Sequence, residues 1–211
     1  MCRVNSVTAT DRPVRRTQSQ RREQTRSALI EATIATIEHS GFHAATNRAI
    51  VDRAGASLGA MSHQFAGRNE LIAAALDEVG RRAVTELARR AAALGDDGPP
   101  RTAQLLDLLW QLFDGNLFQV WVKVWSAAAD DPELYAALAP NEEQLSTAIA
   151  AVVADLTPHL AGDRTWSRRL GVAIDTMRGL ALAARFEPHR ADRARDRWPS
   201  TRAELVRLID G

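Results

Sequence analysis

The chain has 211 residues, of which 45% are hydrophobic and 25% charged, and its formal net charge is +1. A chain of this length can bury a sizeable core as one large or two small domains. Its single cysteine, Cys2, excludes an intramolecular disulfide. No apolar run reaches the roughly 18–20 residues that a membrane-spanning helix requires. The arginine-rich N-terminus lacks an apolar signal core, so we expect a cytoplasmic protein with no membrane partner.

Positive charge is concentrated in the first third of the chain. Residues 1–72 contain ten arginines against six acidic residues, whereas residues 73–211 contain seventeen basic against twenty acidic residues. Such an excess is expected of a surface that faces phosphates. Residues 1–20 have few apolar anchors, and we expect a disordered basic arm there. This arm either lies along DNA or is a solvated tail that adds only solubility.

The spacing of apolar residues predicts an all-α fold. Ala, Leu, Arg and Glu recur at helical intervals, and strand-type alternation is nowhere sustained. The first predicted helix covers residues 21–39, with Leu29, Ile34 and Ile37 on one apolar stripe and Gly41 as its C-terminal cap.

The next segment has the pattern of a helix-turn-helix. Two short helical patterns, residues 47–54 and 58–63, flank Gly55 and Ser57, which are suited to ending one helix and capping the next. The side chains predicted to point inward are those of Ile50, Ala54, Leu58, Met61 and Phe65. Those left to point outward are Asn47, Arg48, Ala60, Ser62 and His63. A small second helix presented in this way fits a DNA major groove.

An ordered set of residues in this region carries a resemblance to a known family. The set comprises Gly41-Phe42, Thr46, Ile50, Ala54-Gly55, Ser57, Gly59, Phe65 and Glu70-Leu71. It resembles the DNA-binding domain of the TetR family of bacterial transcriptional repressors, over about residues 22–72. The chain departs from the family pattern at Ser62, where Tyr is usual, at Gln64, where His is usual, and at Arg68, where Lys is usual.

The resemblance implies which residues contact double-stranded DNA. It assigns a phosphate contact to Thr46, a base contact to Arg48 and a phosphate contact to Arg68. The full implied set is Thr46, Arg48, Ser57, Leu58, Gly59, Ala60, Ser62, His63 and Arg68. Because Ala60 and Ser62 are short, we expect Arg48 to carry much of the direct readout.

A long helix is predicted to follow, capped by Gly67 with Glu70 at its third position. Its apolar face runs from Leu71 to Leu94, before the breakers of residues 95–100. The resemblance implies that this helix links a helix-turn-helix domain, residues 21–72, to a helical ligand-binding and dimerisation domain, residues 73–211.

Residues 101–129 form two nearly all-apolar segments separated by Asp114-Gly115, so both helices are expected to be buried. Their aromatic side chains either wall a pocket for an unknown small-molecule effector or are ordinary core. These candidates are Trp110, Phe113, Phe118, Trp121 and Trp125. Gln119 and Lys123 are candidate polar groups for orienting a ligand.

The remaining sequence predicts three more helical segments. Asp131-Pro132 begins a helix to residue 158 with a kink or restart at Pro140, another helix covers residues 163–186, and a short last helix begins with the capping box Thr201 and Glu204. By resemblance, the last two helices form a dimer interface; the alternative is that they close the monomer. The interface candidates are Leu170, Ile174, Met177, Ala181, Leu205 and Leu208.

The sequence has no pattern of catalytic or metal-ligating residues. The five histidines form no HExxH or similar grouping, and neither a GxSxG motif nor a phosphate loop is present. We therefore expect no enzyme, metal or cofactor. The sequence-based hypothesis is a homodimeric, ligand-responsive transcriptional repressor that a small molecule releases from a near-palindromic operator. The alternative is an activator or a ligand-independent DNA-binding protein of the same fold.

Overall fold

The computed structural model describes residues 17–94, 102–160, 162–186 and 191–211, with only the backbone of residues 185, 186 and 191–196. Every regular element in these ranges is helical, as predicted. The N-terminal helices are α1 (Gln18–Ser40), α2 (Asn47–Ala54), α3 (Leu58–Ser62) and α4 (Arg68–Ala92). The C-terminal helices are α5 (Thr102–Asp114), α6 (Asn116–Ala128), α7 (Pro132–Leu156), α8 (Arg164–Phe186) and α9 (Ala191–Asp210).

Helix α1 begins three residues earlier than its predicted start at residue 21. Thr17 and Gln20 form a capping box, in which the Gln20 amide donates to Thr17 Oγ1 at 3.2 Å and the Thr17 amide donates to Gln20 Oε1 at 2.8 Å. Residues 18–20 therefore belong to α1, and the rest of the predicted arm, residues 1–16, lies outside the described residues. The predicted cap at Gly41 is confirmed, with φ of 87°.

The helix-turn-helix forms where its turn residues predict it. Thr46 Oγ1 accepts from the Ala49 amide at 3.2 Å, Gly55 ends α2 in the left-handed region at φ 63°, and Ser57 Oγ accepts from the Ala60 amide at 3.1 Å. The three caps therefore fix both the length of each helix and the turn between them.

One inward prediction in this motif is wrong. Ile50, Met61 and Phe65 are buried as expected, but the Leu58 side chain is 46% exposed. Leu58 is the first residue of the five-residue α3, and the inward position of this short helix is occupied by Met61. Leu58 therefore belongs to the outer surface of the motif.

Helix α4 joins two hydrophobic cores. Leu71, Ile72 and Leu76 pack with α1, α2 and α3 in the first core, whereas Leu87 packs with α5, α8 and α9 in the second. The helix ends at Ala92, two residues before the predicted end of its apolar face. Helix α4 is therefore one continuous element shared by the two cores.

Helix α7 starts as predicted, with Asp131 Oδ1 accepting from the Leu134 amide at 2.9 Å. It does not restart at Pro140 but runs to Leu156. Packing along α4 holds it, since Asn141 Nδ2 donates to the Ala73 carbonyl at 2.7 Å. Tertiary contacts therefore outweigh the missing N–H of the proline.

The predicted start of the last helix is wrong. Helix α9 begins at Ala191, ten residues before Thr201, and includes Pro199. Trp198 anchors this earlier part, because its ring stacks on Trp110 at 4.7 Å between centroids and its Nε1 donates to Asp107 Oδ1 at 2.8 Å. In the described residues, no helix is long and apolar enough to cross a membrane.

Candidate DNA-binding surface and effector cavity

The residues assigned to DNA contact lie mainly on the outside of the helix-turn-helix. All but two are exposed, while Ala60 and Arg68 are half-buried. The exposed ones are Thr46, Arg48, Ser57, Leu58, Gly59, Ser62 and His63. The two N-terminal caps bring the start of α2 and the start of α3 to this surface. It is therefore available to a large partner such as a DNA duplex.

Arg48 places a positively charged and largely exposed guanidinium on this surface. Its Nε lies 3.0 Å from Asp52 Oδ2, and the two side chains are 77% and 58% exposed. An ion pair this exposed is weak and screened by salt. Asp52 therefore orients Arg48 without preventing the guanidinium from exchanging it for a DNA group.

Two hydroxyls of the surface are already used within their own helices. Ser57 Oγ accepts its capping hydrogen bond, and Ser62 Oγ donates to the Leu58 carbonyl at 3.0 Å. Ser62 therefore presents mainly an acceptor to a partner. This supports the expectation that readout by α3 itself is limited and that Arg48 matters more.

Arg68 has an intramolecular role that the resemblance did not imply. Its Nε donates to the Ala45 carbonyl at 2.9 Å and its Nη2 to the Phe42 carbonyl at 3.2 Å, while its Cζ lies 4.6 Å from the centre of the Phe42 ring. Burial lowers the pKa of the Arg68 guanidinium, and nearby Asp131 partly opposes this shift. Arg68 ties the start of α4 to the segment before α2, and its phosphate contact stays a prediction.

Sequence reasoning missed two contacts that hold α1 against the motif. Gln64 Nε2 donates to the Arg22 carbonyl at 3.0 Å, and the Arg26 guanidinium lies 4.5 Å above the Phe65 ring. The sequence signal for the first contact was Gln64 itself, at a position where the family usually has His. Arg26 is consequently a packing residue of the basic cluster, whereas Arg21 and Arg22 are exposed.

A second candidate site is a partly open cavity of about 450 Å³ lined by residues of α4, α5, α6, α7 and α8. Its volume is within the roughly 300–1,000 Å³ typical of sites for small organic ligands. We call it the effector cavity. Most of the side chains that line it are aliphatic, including Leu109, Leu112, Leu145, Ile149 and Val153.

Three of the five predicted pocket aromatics line the effector cavity, namely Phe113, Phe118 and Trp121. The other two do not line this cavity, although Trp125 lines a second pocket beside Tyr135. Trp110 turns away to stack on Trp198, and Trp125 makes an edge contact with Tyr135 at 5.5 Å outside the cavity. A nearly all-apolar helix offers no sequence signal for which of its aromatics faces a cavity.

The two predicted ligand-orienting polar residues are also misassigned. Lys123 Nζ donates to the carbonyls of Ile37 and Glu38, at 3.1 and 2.6 Å, and Gln119 Nε2 reaches Asn116 at 3.4 Å. Neither residue lines the effector cavity. Lys123 instead attaches α6 to the C-terminus of α1, where a cation is favoured.

Glu142 and Arg178 are the charged residues among the described side chains that line the cavity. Glu142 Oε2 accepts from Trp121 Nε1 at 3.1 Å, and the Arg178 Cζ lies 5.5 Å from the centre of the Trp121 ring. No motif or spacing in the sequence singles out either residue. Both lie on long helices among ordinary surface charges, so only the packing of α6, α7 and α8 reveals them.

The predicted dimer-interface residues are mostly buried within the chain itself. Leu170, Met177, Ala181 and Leu205 are all buried. Leu170 and Ile174 line the effector cavity. The four buried side chains offer little surface to a second subunit in this conformation, whereas Ile174 is partly buried and Leu208 is 39% exposed, and the dimer interface stays a prediction. The apolar stripe of α8 is used for packing against α5 and α9.

Comparisons with known proteins agree with the motif. The profile of the family described as bacterial regulatory proteins, tetR family, matches residues 29–75. The HTH-type transcriptional regulator BetI of Stenotrophomonas maltophilia is 30% identical over 177 residues, which cover 82% of this chain and 88% of that protein.

Solved structures show the same fold. A TetR family member from Streptomyces coelicolor has a TM-score of 0.63 at 25% identity, covering 88% of this chain and 98% of the other. The multidrug binding protein EbrR complexed with ethidium has a TM-score of 0.61 at 22% identity, with the same coverage.

The fold, the helix-turn-helix and these relatives define a DNA-binding transcriptional regulator and not an enzyme. The chain belongs to the TetR family of bacterial regulatory proteins.

Proposed function

We propose that the protein is a homodimeric repressor that binds a near-palindromic operator and is released when a small molecule occupies the effector cavity. The course of α4 is the observation that carries this proposal. Leu71, Ile72 and Leu76 pack in the core of the helix-turn-helix, and Val79, Gly80 and Ala83 line the cavity. A ligand that favours a different tilt of α4 would therefore alter the DNA-binding surface.

Helix α6 offers a second route between the two sites. Phe118 and Trp121 line the cavity on this helix. On the same helix, Lys123 binds the C-terminal carbonyls of α1, and Asn116 Nδ2 donates to Glu38 Oε1 at 2.9 Å. A ligand that moves the aromatic pair would therefore also pull on α1. Both routes end in the helices that support α3.

On DNA, we assign the contacts to Thr46, Arg48, Gly59, Ser62 and His63, with Ala60 against the groove floor. Two recognition helices of a dimer would occupy successive major grooves, about 34–36 Å apart. The exposed face of α8 and α9, with Val172 at 50% and Leu208 at 39% exposure, is the surface we assign to dimerisation. It replaces the buried residues that the sequence had suggested.

The test is a gel shift with DNA from immediately upstream of the gene and its divergent neighbour, titrated with salt against unrelated DNA. Selective binding of a dimer supports the repressor and yields an assay for releasing ligands. Equal, strongly salt-dependent binding to every fragment would contradict it and leave a sequence-independent DNA-binding protein. Selective binding that recruits polymerase in a transcription assay would assign an activator instead.

A further inference from the structure

One charged group of the effector cavity has unused hydrogen-bonding capacity. Arg178 of α8 lines the cavity, and its Nε is buried without a hydrogen-bond partner. Buried donors in folded proteins are nearly always paired, and an orphan requires an explanation. Arg178 lines a cavity large enough for a ligand and its side chain is 38% exposed, so its guanidinium can turn towards an acceptor that arrives with that ligand.

The surroundings of Arg178 hold the guanidinium in place without neutralising it. Arg178 is paired with Asp175, whose Oδ1 is 3.9 Å from Nη1 and whose side chain is 78% exposed. This separation exceeds a hydrogen bond, and the pair is screened by water. The guanidinium also lies 5.5 Å from the centre of the Trp121 ring, a contact that leaves its N–H donors available.

Glu142, the acid that lines the same cavity, differs from Arg178 in this respect. Its Oε2 already accepts a hydrogen bond from Trp121 Nε1 at 3.1 Å. The carboxylate is therefore partly satisfied by the protein, whereas the Arg178 Nε is not. This asymmetry favours a ligand that brings an acceptor over one that brings a cation.

The other residues that line the cavity determine the chemistry of the rest of the ligand. They are mainly aliphatic and aromatic, as at Leu112, Phe113, Phe118 and Ile149. A molecule that fills the cavity must be largely hydrocarbon, because an unpaired polar group there would lose its hydration without compensation. We propose that the cavity binds a largely apolar molecule with a carboxylate at one end, and that Arg178 binds this carboxylate through its guanidinium fork.

This inference rests on the proposed function only in treating the cavity as the effector site. It is tested with three probes that share one alkyl chain and differ in the head group: decanoate, decanol and decylamine. Their affinities for the purified full-length protein are measured by titration calorimetry. We expect decanoate to bind at least about tenfold more tightly than decanol, and decylamine to bind most weakly.

Variants of Arg178 separate head-group binding from the shape of the cavity. Arg178→Gln should weaken decanoate binding at least about tenfold while leaving decanol binding unchanged. Arg178→Lys should retain part of the preference for decanoate over decanol. Arg168→Gln removes an exposed arginine from the same helix and should change nothing. Unchanged decanol binding also shows that the Arg178→Gln variant is folded with its cavity intact.

Three results would overturn the inference. They are equal decanoate affinity in Arg178→Gln and Arg168→Gln, tighter binding of decylamine that is lost in Glu142→Gln, and failure of all three probes to bind. The gel shift without any probe reports on the proposed function separately. If the protein binds DNA selectively but gives any of these three results, the ligand assignment is wrong and the proposed function as a DNA-binding regulator still stands.

Discussion

The two halves of the molecule share α4 but pack differently around it. The core of the helix-turn-helix is filled by fully buried side chains such as Leu29, Ile37, Ile50 and Leu71. The core of the second half surrounds a cavity of about 450 Å³. The first half thus has a filled core, while the second keeps space among its helices. The proposed function uses both, since a response to a ligand requires a part of the molecule whose packing that ligand can complete.

The largest expected effect tests this difference in packing. Leu71→Ala removes a fully buried side chain from the filled core and should lower the free energy of unfolding by about 2–5 kcal/mol. Leu112→Ala at the cavity wall should lower it by less than half as much, because that half-buried side chain already borders empty space. Urea denaturation measures both. Equal losses would mean that the cavity is filled or collapsed in solution.

The next effect concerns the DNA-binding surface. Arg48→Ala should weaken binding to the operator by about 1–3 kcal/mol, the range for a base contact by arginine. His63→Ala should also weaken it. Fluorescence anisotropy measures the affinity, and Arg89→Ala on exposed α4 is the control for simple loss of positive charge. Operator affinity unchanged in both surface variants would refute the assigned contacts.

A smaller effect is expected where α6 meets α1. Lys123→Met removes the hydrogen bonds to the carbonyls of Ile37 and Glu38 and should lower the free energy of unfolding by about 1 kcal/mol. Gln119→Met is the matched control, because its amide reaches only the neighbouring Asn116. Thermal denaturation compares the two. A loss as large in Gln119→Met would show that Lys123 adds nothing specific.

The smallest expected effect is a pH dependence of stability that arises from Glu86 on the exposed part of α4. Hydrogen bonds from Arg89 and Arg90 lower the pKa of Glu86 to about 2 from its ordinary 4.5. Since the folded pKa is lower, the contribution of Glu86 to stability is present above pH 4.5 and is lost as the pH falls towards 2. Glu86→Gln should flatten the pH dependence of the melting temperature in that window. An unaltered slope would show that these pairs are fully screened by solvent.

The sequence predicts the first half well because its signals are local. Thr46 and Ser57 cap the helices that follow them, and Gly55 occupies the left-handed conformation that its position in the turn requires. Each of these depends on residues no more than a few positions away. The error at Leu58 arose because a five-residue helix has too few positions for its apolar spacing to define an inner face.

The second half is harder to predict because its contacts join distant parts of the chain. Apolar spacing identified the stripe of α8 that contains Leu170 and Ile174, but it does not say whether a stripe faces a cavity, the core or a second subunit. Lys123 binds carbonyls 85 and 86 positions earlier. Arg178 and Glu142 acquire their roles only when α6, α7 and α8 meet at Trp121.

The most direct test of the account is the distance between the two DNA-binding surfaces of a dimer. Cys2 is the single cysteine, so a Cys2→Ser background with Arg53→Cys carries one spin label per subunit on exposed α2. Pulsed electron paramagnetic resonance measures the distance between the two labels of a dimer. The distance distribution should be broad for the protein alone. It should narrow to a single peak with the operator found by gel shift, and not with unrelated DNA. Absence of an intermolecular distance, or the same distribution with both DNA fragments, would contradict a dimeric repressor that holds two recognition helices at the operator spacing.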